Sequence, residues 1–204
     1  MSEPTQVRTP SLDDVLSGCW RMLAEGAKRA RHPFHTPVLG TSGHGGCDLR
    51  TVVLRSVDPD ARELICHTDL RSAKCAQVRR DPRVSWLFYD AQAKVQLRIG
   101  GVAEVHSGDP LALERWRSSP TRSRRCYGVV PGPGTPIERA ESGLPEPYTE
   151  RTPTVEESDP WVEHFAVLRT RVERVEWLHL RAKGHLRARF EWSDGELAST
   201  WLIP

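Results

Sequence analysis

Paired sulfur, long apolar stretches and a lopsided charge are what this chain has least of. Its five cysteines (Cys19, Cys47, Cys66, Cys75 and Cys126) are odd in number, widely spaced and without a Cys-x-x-Cys pair. That pattern argues against a disulfide framework and a zinc ribbon and suits a reducing compartment. Nowhere do about eighteen apolar residues follow one another, the length a membrane helix needs. Met1-Ser2-Glu3-Pro4 has no basic segment leading into an apolar one, so the expectation is a soluble, cytoplasmic protein with no membrane partner. The 29 basic and 27 acidic residues leave a formal charge of +2, which gives nucleic acid no global attraction, and no aromatic platform compensates. Internal repeats are missing too. What is present is length: 204 residues suffice for one domain, 1–204, with a sizeable core.

Periodicity divides the chain. Ser11 precedes Leu12, Val15, Leu16, Cys19, Trp20 and Leu23 at three- and four-residue steps, with Asp13 and Asp14 in the first turn; this predicts an amphipathic helix to about Lys28 within an N-terminal helix and arm, 1–32. The period then changes to two. Val38-Leu39, Leu49 to Val57, Glu63 to Thr68, Val84 to Tyr89 and Val95 to His106 read as an antiparallel meander. A short helix with Ser72 as N-cap candidate interrupts it as far as Arg80, and another runs from Pro110 to Arg117. Residues 128–160 turn rich in Pro, Gly, Glu and Thr, including Pro131-Gly132-Pro133-Gly134, and form a long excursion or lid. Strands resume over Phe165 to Leu180, Ala188 to Trp192 and Leu197 to Ile203. Seven or so strands with few helices predict an all-β barrel with peripheral helices.

Chemistry enters through the strands. Arg50-Thr51-Val52-Val53-Leu54-Arg55 sets two cations around a β-branched run, and Lys94-Val95-Gln96-Leu97-Arg98-Ile99 repeats the alternation. Cations and amides at alternate strand positions suit an anionic ligand laid across a barrel wall. Taken singly, Arg50, Arg55 and Arg189 read as solvated strand charges, Lys74 as a surface lysine, Gln96 as an exposed polar residue and Trp177 as core. His44 and Cys47 sit in Ser42-Gly43-His44-Gly45-Gly46-Cys47 without another His or Cys at ligand spacing, so a glycine loop is expected there and no metal.

In order, the motifs resemble a known family. The Arg50 to Arg55 run, His67-Thr68, Ser72-Ala73-Lys74, Asp81-Pro82-Arg83-Val84-Ser85-Trp86-Leu87-Phe88-Tyr89, and Gln96 ahead of Gly101-Val102-Ala103-Glu104 are similar to the flavin-binding half of the pyridoxamine 5'-phosphate oxidase family. Glu176-Trp177, His185-Leu186-Arg187-Ala188-Arg189-Phe190 and Trp201-Leu202-Ile203-Pro204 resemble its C-terminal strand pair. The resemblance implies an FMN-binding split β-barrel, antiparallel and Greek-key-like, working as a homodimer with FMN between subunits. It places Arg50, Thr51, Val52, Val53, Leu54, Arg55, His67, Thr68, Ser72, Lys74 and Gln96 at the cofactor, with Arg50 and Lys74 on its phosphate. Trp177 and Arg189 would reach the flavin from the neighbouring subunit. Arg55, Ser123 and Arg187 would bind a small-molecule substrate, and His185 and Arg187 would be the catalytic, substrate-orienting pair.

Departures from the family pattern bear on the substrate. Ala73-Lys74 stands where the family has an Arg-Lys pair, and Arg71 is the neighbouring cation available to substitute. The family's Tyr, Arg and Ser for substrate phosphate align with Arg115, Ser119 and Ser123, and its Arg-Leu-His order is inverted as His185-Leu186-Arg187. Arg122, Arg124 and Arg125 beside Ser123 offer a compensating anion patch. The implied activity is an FMN-dependent oxidase that takes a hydride from a small, anionic amine or alcohol and is reoxidised by oxygen. The alternatives are an NAD(P)H-linked flavin reductase and a non-catalytic flavin-binding protein.

Overall fold

The structure is a computed structural model, described here for residues 10–43 and 45–204. Helix α1 (Leu12–Lys28) begins at a reciprocal cap, in which the Ser11 hydroxyl accepts from the Asp14 N–H and the Asp14 carboxylate accepts from the Ser11 N–H. Its apolar face buries Val15, Cys19, Trp20 and Leu23 against the sheet. The N-terminal arm lies outside the described residues as far as residue 9.

Among the described residues nine strands form one antiparallel sheet: β1 (Val38–Ser42), β2 (Cys47–Thr51), β3 (Leu54–Asp58), β4 (Glu63–Asp69), β5 (Arg83–Asp90), β6 (Val95–His106), β7 (Phe165–His179), β8 (Leu186–Ser193) and β9 (Glu196–Leu202). The order is β2-β1-β5-β6-β7-β4-β3, with β8 on β7 and β9 on β8. The expected meander is therefore corrected, as is the single strand over Leu49 to Val57. That run breaks at Val52-Val53: the Val52 N–H donates to the Pro37 carbonyl at 3.0 Å, one step beyond the last β1–β2 pair, Val38 with Thr51, and the chain then crosses to β3, which pairs with β4. Strands β2 and β3 stand at opposite ends of the sheet order yet are joined by these two residues, so the sheet must curl until its edges approach.

The opening of the barrel has its origin in β7. One edge of this long strand pairs with β6, while its other edge pairs with β4 over residues 165–171 and with β8 over 174–179. Partner exchange falls at a bulge, where Gly100 opposes Arg174 and Gly101 opposes Val172. A Cβ on Gly101 would sit 2.1 Å from the Arg171 carbonyl oxygen. Only glycine allows the strands to approach there.

Period-two patterning fills the barrel. Val84, Trp86 and Phe88 of β5 point inward to Leu39, Leu54, Leu97, Ile99 and Phe190, while Arg83, Ser85, Leu87 and Tyr89 face out. A second, smaller cluster of Ile65, Trp116, Tyr127, Phe165 and Val167 forms beneath α3 (Pro110–Ser118). Between Gly128 and Thr154 no helix or strand is described, in keeping with the Pro/Gly composition; the segment ends in α5 (Val155–Ser158), capped by Thr154 and Glu157. No described helix is long and apolar enough to cross a membrane.

Candidate functional site

Helix α2 (Ala73–Arg80) packs over β1, and its first turn meets the end of β4. Ser72 occupies the N-cap position but does not cap the helix with its side chain, and its hydroxyl donates instead to the Asp69 carbonyl at 2.6 Å. Lys74 reaches back over this turn. Its ammonium donates to the Thr68 hydroxyl at 2.9 Å and the Ser72 hydroxyl at 3.0 Å and makes no ion pair among the described residues. Burial lowers its pKa, and the Arg50 guanidinium nearby adds to that depression. Arg50 is fixed by Thr41 at 2.6 Å, by Gln77 at 3.2 Å and by the Leu39 carbonyl at 3.3 Å. An ammonium with spare donors, two hydroxyls, a guanidinium and an uncapped helix N-terminus make an anion cradle, and the donor set fits a phosphate.

Beyond the cradle lies a second basic group. Arg55 sits at the β3–β4 irregularity, where pairing skips from Leu54 to Ser56, so its exposed side chain is released from the ladder. The charges of Arg55 and Arg115 both bear on His67, whose ring packs edge-on against Phe165 at 4.9 Å. Burial and then these two cations lower the His67 pKa to about 4. The imidazole is neutral at ordinary pH. His67 Nε2 and Arg115 Nε are buried without a hydrogen-bond partner among the described residues, a state that a bound polar group would relieve. Arg115 was noticed in the sequence only as a departure from the family Tyr.

Other expected residues fall elsewhere. Gln96, Arg98, Glu176, Leu178 and Arg187 line a small recess on the outer face of β6, β7 and β8. It adjoins a cleft of about 510 Å³ whose wall includes Val38, Leu49, Leu87, Arg98, Arg187 and Arg189. Glu176, buried at its centre, accepts from Arg98 and from Arg187 at 2.6 Å, with Arg189 3.6 Å away. Burial raises the Glu176 pKa, but the Arg187 and Arg98 bonds outweigh it and the net direction is down. Sequence reasoning placed Arg98 in an alternating run of cations but gave no role to Glu176, Thr41 or Gln77, whose roles arise only from cross-strand register. The register puts Arg98, Glu176 and Arg189 in one row.

The remaining positions are plainly located. Trp177 opposes Ala188, is buried, and meets Trp201 edge-on at 6.4 Å; strand alternation sets it on the face opposite Glu176. His185 lies in the exposed β7–β8 turn, where its Nδ1 accepts from the Arg181 N–H. Thr51 is exposed, Val52 and Leu54 are buried and Val53 is half-buried. Ser123 lies on the short helix α4 (Thr121–Arg124). Cys47 is exposed at the start of β2, and the reading of His44 falls outside the described residues.

Two expectations are overturned. Arg71 does not replace the missing cation of the cradle, because Asp69 holds it bidentately and the Val129 and Tyr127 carbonyls take its other donors. Nor do Arg122, Arg124 and Arg125 form an anion patch. Arg124 is only 4% exposed and stacks over Trp116 while bonding Asp159 and the Ser119 and Arg117 carbonyls; Arg125 holds the Tyr148 carbonyl. Both serve to anchor the excursion.

Residues 18–107, which carry the cradle, match the family model described as pyridoxamine 5'-phosphate oxidase, FMN-binding domain. Over 178 residues the chain is 29% identical to pyridoxine/pyridoxamine 5'-phosphate oxidase 2 of Arabidopsis thaliana, covering 82% of this chain and 86% of that one. Over these stretches the chain is similar to the pyridoxamine 5'-phosphate oxidase-like family. The cofactor of this family's domain is FMN, and the cradle has the donors its phosphate requires. Solved structures agree on the split-barrel fold. A pyridoxamine 5'-phosphate oxidase-related, FMN-binding protein from Nostoc punctiforme superposes with a TM-score of 0.72 at 22% identity over 100% of both chains. PhzG from Burkholderia lata, solved with tetrahydrophenazine-1-carboxylic acid, gives 0.72 at 19% identity over 98% of each.

Proposed function

We propose that the protein is an FMN-dependent oxidoreductase that oxidises a small anionic amine or alcohol with oxygen as acceptor. When bound, FMN supplies the hydride-accepting N5 and the route for electrons to oxygen. The chain's own residues bind and orient. Lys74, Arg50, Thr68 and Ser72 hold the FMN phosphate, and Arg55 with Arg115 holds the anionic end of the substrate beside neutral His67 and near Ser123. Arg187, assisted by His185, orients the reacting end.

The observation that carries this reading is Lys74, a partly buried ammonium whose hydrogen bonds, among the described residues, go only to neutral hydroxyls. Burying such a charge is unfavourable without an opposite one, which a phosphate provides. The two faces of the β1–β2 hairpin support a homodimer as part of this reading. Arg50 and Thr41 turn to the cradle, while Leu49 and Gly40, one position along, line the arginine-rich cleft. One flavin touching both groups has to be shared between two chains.

The test is the visible absorption of the purified protein, identification of the released chromophore, and oxygen uptake with pyridoxine 5'-phosphate, the substrate class named for the Arabidopsis relative. FMN release and NAD(P)H-independent oxygen uptake are expected. A colourless protein that takes up no added FMN would overturn the proposal.

A further inference from the structure

The turn between β4 and α2 serves the phosphate cradle on one side and both ends of the long excursion on the other. Toward the cradle, the Asp69 carbonyl accepts from the Ser72 N–H at 3.1 Å, the Ser72 hydroxyl at 2.6 Å and the Cys75 thiol at 3.3 Å. These bonds fix the Ser72 oxygen on which the Lys74 ammonium rests. Toward the excursion, the Asp69 carboxylate accepts from the Arg71 N–H, Nε and Nη2, and the same guanidinium donates to the Val129 carbonyl at 3.0 Å and the Tyr127 carbonyl at 3.4 Å, where the excursion departs. The returning end is tied to the same turn. The Leu70 N–H donates to the His164 carbonyl at 2.7 Å, and His164 Nδ1 donates to the Tyr127 carbonyl at 2.9 Å. Gly132 lies on the Arg71 stem, close enough that a Cβ there would come within 3.2 Å of Cδ. The Asp69 side chain is only 8% exposed, and its one ion pair among the described residues is with Arg71. Left alone at that depth, the carboxylate would be costly and would repel a phosphate seated on the same turn.

We propose that Arg71 is a positioning residue that couples the seating of the excursion to occupancy of the phosphate cradle. It cancels the Asp69 charge behind the cradle, and its planar fork spans from that carboxylate to the two carbonyls at the root of the excursion, a bridge that one ammonium could not make. A phosphate drawing on Lys74 and on the uncapped start of α2 stiffens the turn, and the stiffened turn holds the fork against Val129 and Tyr127. Linkage makes the effect reciprocal: a seated excursion tightens the phosphate by the same factor. The inference rests on the FMN reading of the cradle and gives the Pro/Gly-rich excursion a part in it.

Limited proteolysis of the full chain tests this, with cleavage between Gly128 and Thr154 followed in the absence of flavin, with FMN, and with riboflavin, which has the ring but no phosphate. Saturating FMN should slow cleavage of the parent at least about fivefold, the lower end of ordinary coupling between sites, and riboflavin at the same concentration less than about twofold. In Arg71→Gln, brought to saturation as judged by flavin fluorescence quenching, FMN protection should fall below about twofold. Should that variant fail to fold, Arg71→Lys decides in its place, since it keeps a cation beside Asp69 but gives up the fork; the same loss of protection is expected. The coupling is overturned if FMN binds the parent without slowing cleavage, if riboflavin protects as well as FMN, or if the substituted protein is protected as strongly as the parent. A parent that binds no FMN overturns the proposed function and this inference with it, an outcome that the quenching titration separates from the other three.

Discussion

Lys74 has two hydroxyl acceptors and, among the described residues, no counter-ion, and its role can be weighed directly. We predict that Lys74→Met raises the FMN dissociation constant by about ten- to a hundredfold, the worth of a charged hydrogen bond, while thermal stability holds or improves because a buried charge has gone. Flavin fluorescence quenching reads the affinity; unchanged binding would remove Lys74 from the cradle. His67 sets a pH dependence. The unfolded chain protonates it near 6.5, whereas the folded protein keeps it neutral to about 4. Between those values the unfolded state binds more protons, so stability is fully present above the window and falls as the pH drops through it, by on the order of 3 kcal/mol at the acid end. Urea denaturation across the window should show this slope in the parent and lose it in His67→Phe; equal slopes would contradict it. At this scale the ordered motifs name Arg50, Lys74 and Thr68, and the fold sets Lys74 against Thr68 with Arg50 nearby. Glu176 stayed hidden, since nothing local marks an acid that only cross-strand pairing surrounds with arginines.

At the scale of elements, the β6–β7 bulge and the anchored excursion carry the argument. Gly101→Ala would drive a Cβ into the Arg171 carbonyl, forcing backbone apart at the point where β7 exchanges partners. A loss of at least about 2 kcal/mol is expected, within the upper range for point substitutions; a denaturation midpoint equal to the parent's would show that the strand absorbs the clash. Arg124→Met keeps much of the stacking bulk over Trp116 but abandons Asp159 and two carbonyls. Limited proteolysis should then cut between Gly128 and Thr154 faster than in the parent, with the barrel intact. Helix α1 and most strand positions were readable from apolar spacing, because each buries one face. The break at Val52-Val53 was not, since both residues favour strand and the change of partner, from β1 at Thr51 to β4 at Leu54, depends on segments remote in sequence. Arg124 misled for a related reason: sequence shows a run of arginines, whereas burial distributes them.

For the whole molecule, the outward faces of β2 and β5 display Leu49 at 68%, Leu87 at 39% and Tyr89 at 47% exposure. Apolar side chains beside one another on a sheet surface favour a covering partner, and the proposed pairing of two copies would supply it. Leu49→Arg should shift the sedimentation profile from dimer toward monomer and weaken FMN together with it; a parent protein that sediments as a monomer would refute the shared-flavin arrangement. Sequence alone could reach the fold class through motif order, but not the route by which β2 and β3 close the barrel, which depends on contacts between distant segments. One detail of the excursion extends to engineering. The Val130 N–H meets the Gly143 carbonyl at 2.7 Å, so residues 131–142 leave and re-enter the body at nearly the same point. A peptide epitope or fluorescent reporter spliced into that stretch would hang from a closed stem, giving a handle for tracking the protein that leaves strand pairing undisturbed.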